Sequence, residues 1–203
     1  MIKVLLKISE KLKNLQDRFY SKLFIFLFKG LGVEIQKPAL IVGFPSINKF
    51  DESYIKFGKN CTLRSKSRNN AIGINHKIIF RTQKAGAEIF IGDNTGISGG
   101  AICAKEKVTI GSNCLIGSNV VISDNDFHAV KPENRINNRN DDDIPARPVL
   151  IEDNVWIGAD SYILKGSYIG KNSVIGAGSV VSGMIPENEV WAGNPARFIK
   201  RID

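Results

Sequence analysis

The sequence predicts an all-β fold, a parallel solenoid built as a single domain. Three observations lead there: an aliphatic residue that returns every six positions, turn-forming residues at a fixed offset from it, and small side chains one place further on. Between Ile151 and Val181 the aliphatic residue recurs without a break, at Ile151, Ile157, Ile163, Ile169, Ile175 and Val181. The spacing is repeated in Ile110, Ile116 and Ile122, in Ile91 and Ile97 with Cys103 next in step, and in Phe57 with Leu63. Three places after the aliphatic stands Asn60, Asn94, Asn113, Asn119, Asn154, Asp160, Gly166, Asn172 or Gly178, residues that tolerate a left-handed backbone and so turn a sharp corner. Four places after it comes a slender side chain: Cys61, Thr95, Ala101, Cys114, Val120, Val155, Ser161, Ser167, Ser173 or Ser179. The place directly after the aliphatic is often glycine, as at Gly58, Gly92, Gly111, Gly117, Gly158, Gly170 and Gly176. A short strand, a corner and another short strand, taken three times, close a triangular coil. Residues 18 apart then stack at roughly 4.8 Å, as in parallel sheet. A helix needs apolar spacings of three and four and a meander needs two, so both are excluded over this stretch.

Size and composition agree with one domain. The chain has 203 residues, 43% hydrophobic and 24% charged, and is neither disordered nor collagen-like. Cys61, Cys103 and Cys114 are odd in number, widely spaced and in no metal-binding pattern, which argues against a disulfide scaffold and for a reducing compartment, the cytoplasm. Cys61 and Cys114 fall in the small inward slot and Cys103 in the aliphatic slot, so all three are expected to be inert packing residues.

Taken in chain order, residues 1–36 form a basic amphipathic helical segment, 37–182 the repeat, and 183–203 a C-terminal tail. Residues 1–37 hold eight Lys/Arg against three acids, a net of +5 out of +8 for the whole chain. Ile8, Leu12, Leu15, Phe19, Leu23 and Phe26 recur at helical spacing and mark one apolar face of it. Such a helix suits two roles: packing on the rest of the protein or another subunit, or lying on an anionic membrane surface through residues 1–30. No zinc-finger, aromatic-platform or helix-turn-helix signal accompanies the lysines, so nucleic acid is not an expected partner. The longest apolar run, Leu23 to Phe28, is too short to span a membrane, and no small-residue cleavage site follows it.

After Ile122 the period lapses, and a polar, charged segment is expected to project as a loop over about 124–148 before the repeat resumes at Ile151. It contains His128, one of two histidines. On the residues alone, His128 either fills an aliphatic slot as the coil frays or stands in a surface loop. His76 lies on an irregular early coil with no acidic neighbour and reads as structural. A three-histidine zinc site needs one histidine more than the chain has, and no metal is expected.

The repeats IGSNCLIGSNVVIS and IEDNVWIGADSYILKGSYIGKNSVIGAGSVV, closing on AGNPAR, resemble the hexapeptide-repeat acyltransferases, and sugar and polysaccharide O-acetyltransferases among them. The resemblance is strong over about 85–203 and weak over 40–84. It implies a left-handed parallel β-helix with a short N-terminal helical segment, and a homotrimer. It implies acetyl-CoA as co-substrate and His128, in DNDFH, as general base for an attacking hydroxyl, a task that fits an imidazole. A nearby carboxylate or backbone carbonyl is expected to hold its second ring nitrogen, with Asp124 and Asp126 as the candidate acids. A backbone N–H at Ser98-Gly99-Gly100 would meet the oxyanion, and Ser98, Gly99 and the loop residue Arg135 are expected on the acceptor side. Trp156 in VWIG, Ala159, Ala177 and Ser182 are implied to line a donor groove between subunits, with Arg197, Lys200 and Arg201 as cations for its phosphates. Gly183 stands where many relatives carry lysine, and Trp191 where a small residue is usual.

The basic N-terminal segment, together with the loop charges Arg135, Arg139 and Asp141 to Asp143, points toward a sugar hydroxyl of a surface polysaccharide or its precursor, modified in the cytoplasm or peripherally at the inner membrane face. Two other readings stand beside it: an N-acetyltransferase of an aminosugar nucleotide, and a non-catalytic solenoid scaffold or sugar-binding module.

Overall fold

The computed structural model describes the backbone of residues 2–137 and 143–203, and side chains from Leu15 onward except those of 137–142. Helix α1 (Ile2–Gly30) leads into a solenoid whose strands form three sheets of seven, eight and six strands, here faces A, B and C. One coil shows the pattern: Lys107–Ile110 lies on A, Leu115–Ile116 on B, Val121–Ser123 on C, and Val149–Ile151 returns to A beside Lys107–Ile110. Strand pairing is parallel throughout until Glu189–Ala192, which pairs antiparallel with Arg197–Arg201 at the end of face B. Residues 18 apart stack as the repeat demands: Ile151 on Ile169, Ile157 on Ile175, and Ile163 on Val181.

Each slot of the repeat has its physical counterpart. The nine corner residues named from the sequence, Asn60 through Gly178, all have positive φ, between 58° and 73°. Asparagine also ties one corner to the next. Asn60 Nδ2 donates to Asn94 Oδ1 at 3.0 Å and Asn94 Nδ2 to Asn113 Oδ1 at 3.0 Å, while Asn154, Asn172 and Asn188 form a second ladder. The aliphatic residues are buried, as are Cys61, Thr95, Cys114, Val155 and the four serines of the small slot. Glycine follows the aliphatic because the next coil's backbone passes there: a Cβ on Gly92 would lie 2.5 Å from the Gly111 carbonyl carbon and 2.6 Å from the Ser112 nitrogen.

The register differs from expectation at one corner. Gly99 and Gly100 both take positive φ, 62° and 80°, and turn the chain in one residue fewer. Gly100 therefore fills the small slot in place of Ala101, and Ile102, stacked on Phe80 and Ile122, fills the aliphatic slot in place of Cys103. Cys103 stacks between Arg81 and Ser123, still buried. A fourteen-residue excursion over 65–78, with a 3-10 turn at Ser67–Asn69, interrupts the second coil and carries His76, whose Nδ1 lies 2.8 Å from the Lys77 carbonyl oxygen.

The open ends of the core are covered by different devices. At the far end Trp191 stacks on Ile175, packs against the core, and donates from Nε1 to Glu189 Oε2 at 2.7 Å. At the near end α1 lies across the first coil, burying Asp17, Ser21, Ile25 and Phe28. The Ser21 hydroxyl accepts the Ile41 N–H at 2.9 Å, and Lys66 Nζ stands 3.6 Å from Asp17 Oδ1. The side that packs is not the apolar face that the periodicity marks. Leu15, Phe19, Leu23 and Phe26 are exposed, Phe26 by 73%, while Ile8 and Leu12 lie outside the described side chains.

Two outcomes check this packing. Gly92→Ala is expected to lower stability by about 1–3 kcal/mol through overpacking, whereas Gly183→Ala, with nothing within 4 Å of the added Cβ, should leave the thermal midpoint unchanged. Burial pushes the thiols of Cys61, Cys103 and Cys114 up to about 11. All three should therefore resist an aromatic disulfide reagent at pH values near 8 in the native state and react once the chain is unfolded.

Candidate active site

The insertion leaves the solenoid at the edge between faces C and A, and its neck is tightly built. Asp124 is fully buried, and its carboxylate accepts the backbone N–H groups of Lys105, Glu106 and Lys107 at 2.7, 2.6 and 2.7 Å. Three charge-assisted bonds offset the cost of burying the charge. The Asp124 carbonyl accepts the Arg147 N–H at 2.8 Å, and Asn125 bridges to Ala146, so the two ends of the loop are clasped together. Asn125 Oδ1 accepts the Phe127 N–H at 2.9 Å, holding Phe127 at φ 61°. An aromatic residue in that region is strained by about 1–2 kcal/mol, and the surrounding bonds sustain it. Asp126 is fixed by Lys165 of the next coil, whose Nζ lies 2.5 and 2.6 Å from the two carboxylate oxygens.

His128 follows this locked segment. Its side chain is exposed, and no hydrogen bond joins either ring nitrogen to another of the described residues. The expected role of Asp124 and Asp126 is thereby corrected. Neither carboxylate holds the imidazole, because Asp124 is spent on the preceding corner and Asp126 on Lys165. Arg135 lies on the short helix α2 (Pro132–Asn137), exposed, and donates weakly to the Val130 carbonyl oxygen at 3.5 Å. Arg139, Asp141 and Asp142 lie outside the described residues.

Ser98 and Gly99 are brought elsewhere. They turn the corner between faces B and C, so the width of face C, strand Ala101–Ala104, separates them from the edge that carries His128 in the same chain. The Gly99 N–H already donates to the Arg64 carbonyl at 2.9 Å and cannot serve as an oxyanion donor in this arrangement.

The residues expected to hold a donor divide in two. On the outer side of face B, Leu115, Trp156, Val174 and Val190 form a row that ends on Lys200 of the antiparallel strand. Trp156 is 54% exposed, and three strand steps of roughly 4.8 Å separate it from Lys200. Arg197 pairs with Ala192 in that last strand, exposed like Lys200. Ala159 and Ala177 turn the adjoining B–C corner, where the Gly178 N–H donates to the Ala159 carbonyl at 2.8 Å. Ser182 stands apart, exposed on the C–A edge two coils beyond His128. An apolar row that includes an aromatic ring and ends on two cations suits a long ligand with an apolar arm and a phosphorylated end. Among the described residues no group of His, Cys, Asp or Glu is placed to hold a metal ion.

Lys165 and Asn125 were not marked by the sequence. Lys165 meets Asp126 across 39 positions, a contact created only when the insertion folds over the next coil, and no spacing in the repeat signals it.

Residues 148–183 match the family described as bacterial transferase hexapeptide (six repeats), and 107–123 match the hexapeptide repeat of succinyl-transferase. The chain is 35% identical over 171 residues to a putative lipopolysaccharide biosynthesis O-acetyl transferase, WbbJ, of Escherichia coli K12, covering 80% of this chain and 79% of that one. Over 121 residues it is 41% identical to a polysialic acid O-acetyltransferase of Escherichia coli, 57% of this chain and 37% of that protein. Among solved structures, a hexapeptide-repeat acetyltransferase of Vibrio cholerae complexed with acetyl-coenzyme A superposes with a TM-score of 0.54 and 30% identity, over 61% of this chain and 65% of that one. An N-acyltransferase of Bacillus cereus, AntD, gives a TM-score of 0.64 at 21% identity over 87% and 88% of the two chains, a likeness of fold. The repeat, its three stacked faces and the length of the shared sequence agree: the chain belongs to the hexapeptide-repeat acyltransferases, with their left-handed parallel β-helix.

Proposed function

We propose that this protein transfers an acetyl group from acetyl-CoA to a hydroxyl of a sugar in a surface polysaccharide or its precursor, in the cytoplasm, with His128 as general base. The observation that carries the reading is the presentation of His128: an exposed imidazole, free of hydrogen bonds to the described residues, on a segment locked by Asp124, Asn125 and Lys165. The polysaccharide acceptor is supported by the O-acetyl transferase of lipopolysaccharide biosynthesis that shares 35% of its aligned residues with this chain.

The chemistry balances without a covalent enzyme intermediate. The imidazole takes the hydroxyl proton as the sugar oxygen attacks the thioester carbonyl carbon. The tetrahedral adduct then collapses, the carbon–sulfur bond breaks, and the imidazolium returns the proton to the departing thiolate. Acyl ester and free CoA thiol are the products. Cysteine nucleophiles fit poorly, since all three thiols are buried and held protonated by burial.

In one chain His128 stands on the C–A edge while the Trp156–Lys200 row runs along face B, so base and donor row do not share a surface. A homotrimer that sets the C–A edge of one subunit beside face B of the next would complete the site from two subunits.

Three outcomes test this. His128→Ala should lower acceptor-dependent release of CoA thiol by about 10²–10⁴-fold with the melting midpoint unchanged; full activity in that variant, or thiol release only with aminosugar nucleotides, overturns the reading. Lys165→Met should lower turnover by freeing the His128 segment and Lys165→Arg should restore much of it, a pattern that loss of fold alone does not produce. Inactive His128→Ala and Lys200→Glu chains, co-expressed, should regain activity in mixed oligomers if each site draws on two subunits; mixtures as inactive as their parents would place the whole site in one chain.

A further inference from the structure

The half of α1 that the solenoid leaves uncovered has a composition of its own. Its packed residues, Asp17, Ser21, Ile25 and Phe28, fall on one side of the helix, and Leu15, Phe19, Leu23 and Phe26 fall about 180° around it at 100° per residue. All four of the latter are exposed, Leu15 by 67%, Phe19 by 68%, Leu23 by 43% and Phe26 by 73%. The packing of α1 on the first coil therefore makes no use of them. Arg18, Lys22 and Lys29, all exposed, follow one edge of this stripe. Both acids of the helix, Glu10 and Asp17, hold positions on the packed side, seven residues apart. Over residues 15–30 the charge is thus segregated: apolar stripe and cations away from the packed side, Asp17 on it. Beside the cationic edge, Arg18, Lys22 and Lys37 line a cleft of about 920 Å³ between α1 and the first coil, floored by Ile25, Pro38, Ala39 and Leu40.

We propose that this outer side of α1 docks on an anionic phospholipid bilayer, the stripe entering the acyl boundary and Arg18, Lys22, Lys29 and Lys37 meeting phosphate headgroups. An apolar stripe bordered by cations is complementary to a surface that is apolar beneath and negative above, and such helices lie in the interface with their apolar side sunk by roughly 5–10 Å. No helix of the described residues is long and apolar enough to cross a membrane, so the attachment is lateral. A second copy of the same helix would bring further cations and no exposed acid to this side, and is the poorer match. The inference is separate from the acetyl-transfer reading and concerns where the enzyme works.

The test is co-sedimentation of the full chain with vesicles of equal parts phosphatidylglycerol and phosphatidylcholine, and with phosphatidylcholine alone, across a salt series. Binding is expected only to the anionic vesicles and should weaken with salt. Each cation near the surface contributes about fivefold in partition, so Arg18→Gln/Lys22→Gln should lower it more than about tenfold. Phe19→Ser/Phe26→Ser should abolish it. All four residues are exposed, so melting midpoint and transfer to a soluble sugar acceptor should stay as in the parent, which keeps this test distinct from that of the catalytic reading. Equal binding to both vesicles, or unchanged binding in both variants, overturns the proposal. A change of oligomeric state in Phe19→Ser/Phe26→Ser assigns the stripe to a second copy of the chain and equally overturns it.

Discussion

Six residues per side, with a left-handed residue at the corner, is the constraint on which the rest of this molecule rests. A left-handed corner costs an ordinary side chain about 1–2 kcal/mol, and asparagine and glycine reduce that cost. Once the corner is made, each strand presents its backbone to the coil above and below, and isoleucines 18 apart come into register. Closure after three sides has a further consequence. An insertion must leave and re-enter at one corner, and the Asp124 carboxylate and the Asn125–Ala146 bridge clasp it there. The exposed imidazole of His128 inherits its position from that corner.

Much of the fold could be read directly because the solenoid is periodic and the periodicity is a property of single residues. The corner asparagines, the small slot and the stacking partners are local choices repeated, and nothing distant alters them. The reading slipped where a local choice changed the count, at Gly99 and Gly100, which saved a residue and moved the inward slot from Cys103 to Ile102. At α1 the spacing left the covered side open. Amphipathic spacing shows which side of a helix is apolar, not which side a fold will cover. The first coil ends face B on strand Leu40–Val42, whose outer edge is unpaired within the sheet. Ser21 supplies the partner for the Ile41 N–H there, so a polar residue was drawn inward and the richer apolar stripe was left outside. The candidate site was legible to a lesser degree. His128 stands out only through the likeness of DNDFH to the family, and the partners of Asp124, Asp126 and Lys165 arise from contacts between coils and leave no trace in spacing.

The positive charge of the chain also resolves into parts with separate physical roles. One group borders the outer side of α1, another closes face B at Arg197 and Lys200, and within the repeat itself lysines such as Lys56 and Lys107 are paired with Glu34 and Glu88 at exposed sites. The apolar row of face B and the exposed His128 occupy different sides of one chain, so the proposed chemistry would draw on subunits brought edge to face. Assembly, donor binding and proton transfer are in this account one geometric problem.

A crystal structure of the assembled protein with CoA bound tests that account most directly. It should show the donor lying along Trp156, Val174 and Val190, its phosphates at Arg197 and Lys200, and its sulfur within about 3–4 Å of the imidazole of His128 from a neighbouring subunit. CoA bound away from face B, or a sulfur remote from every His128 in the assembly, would contradict it.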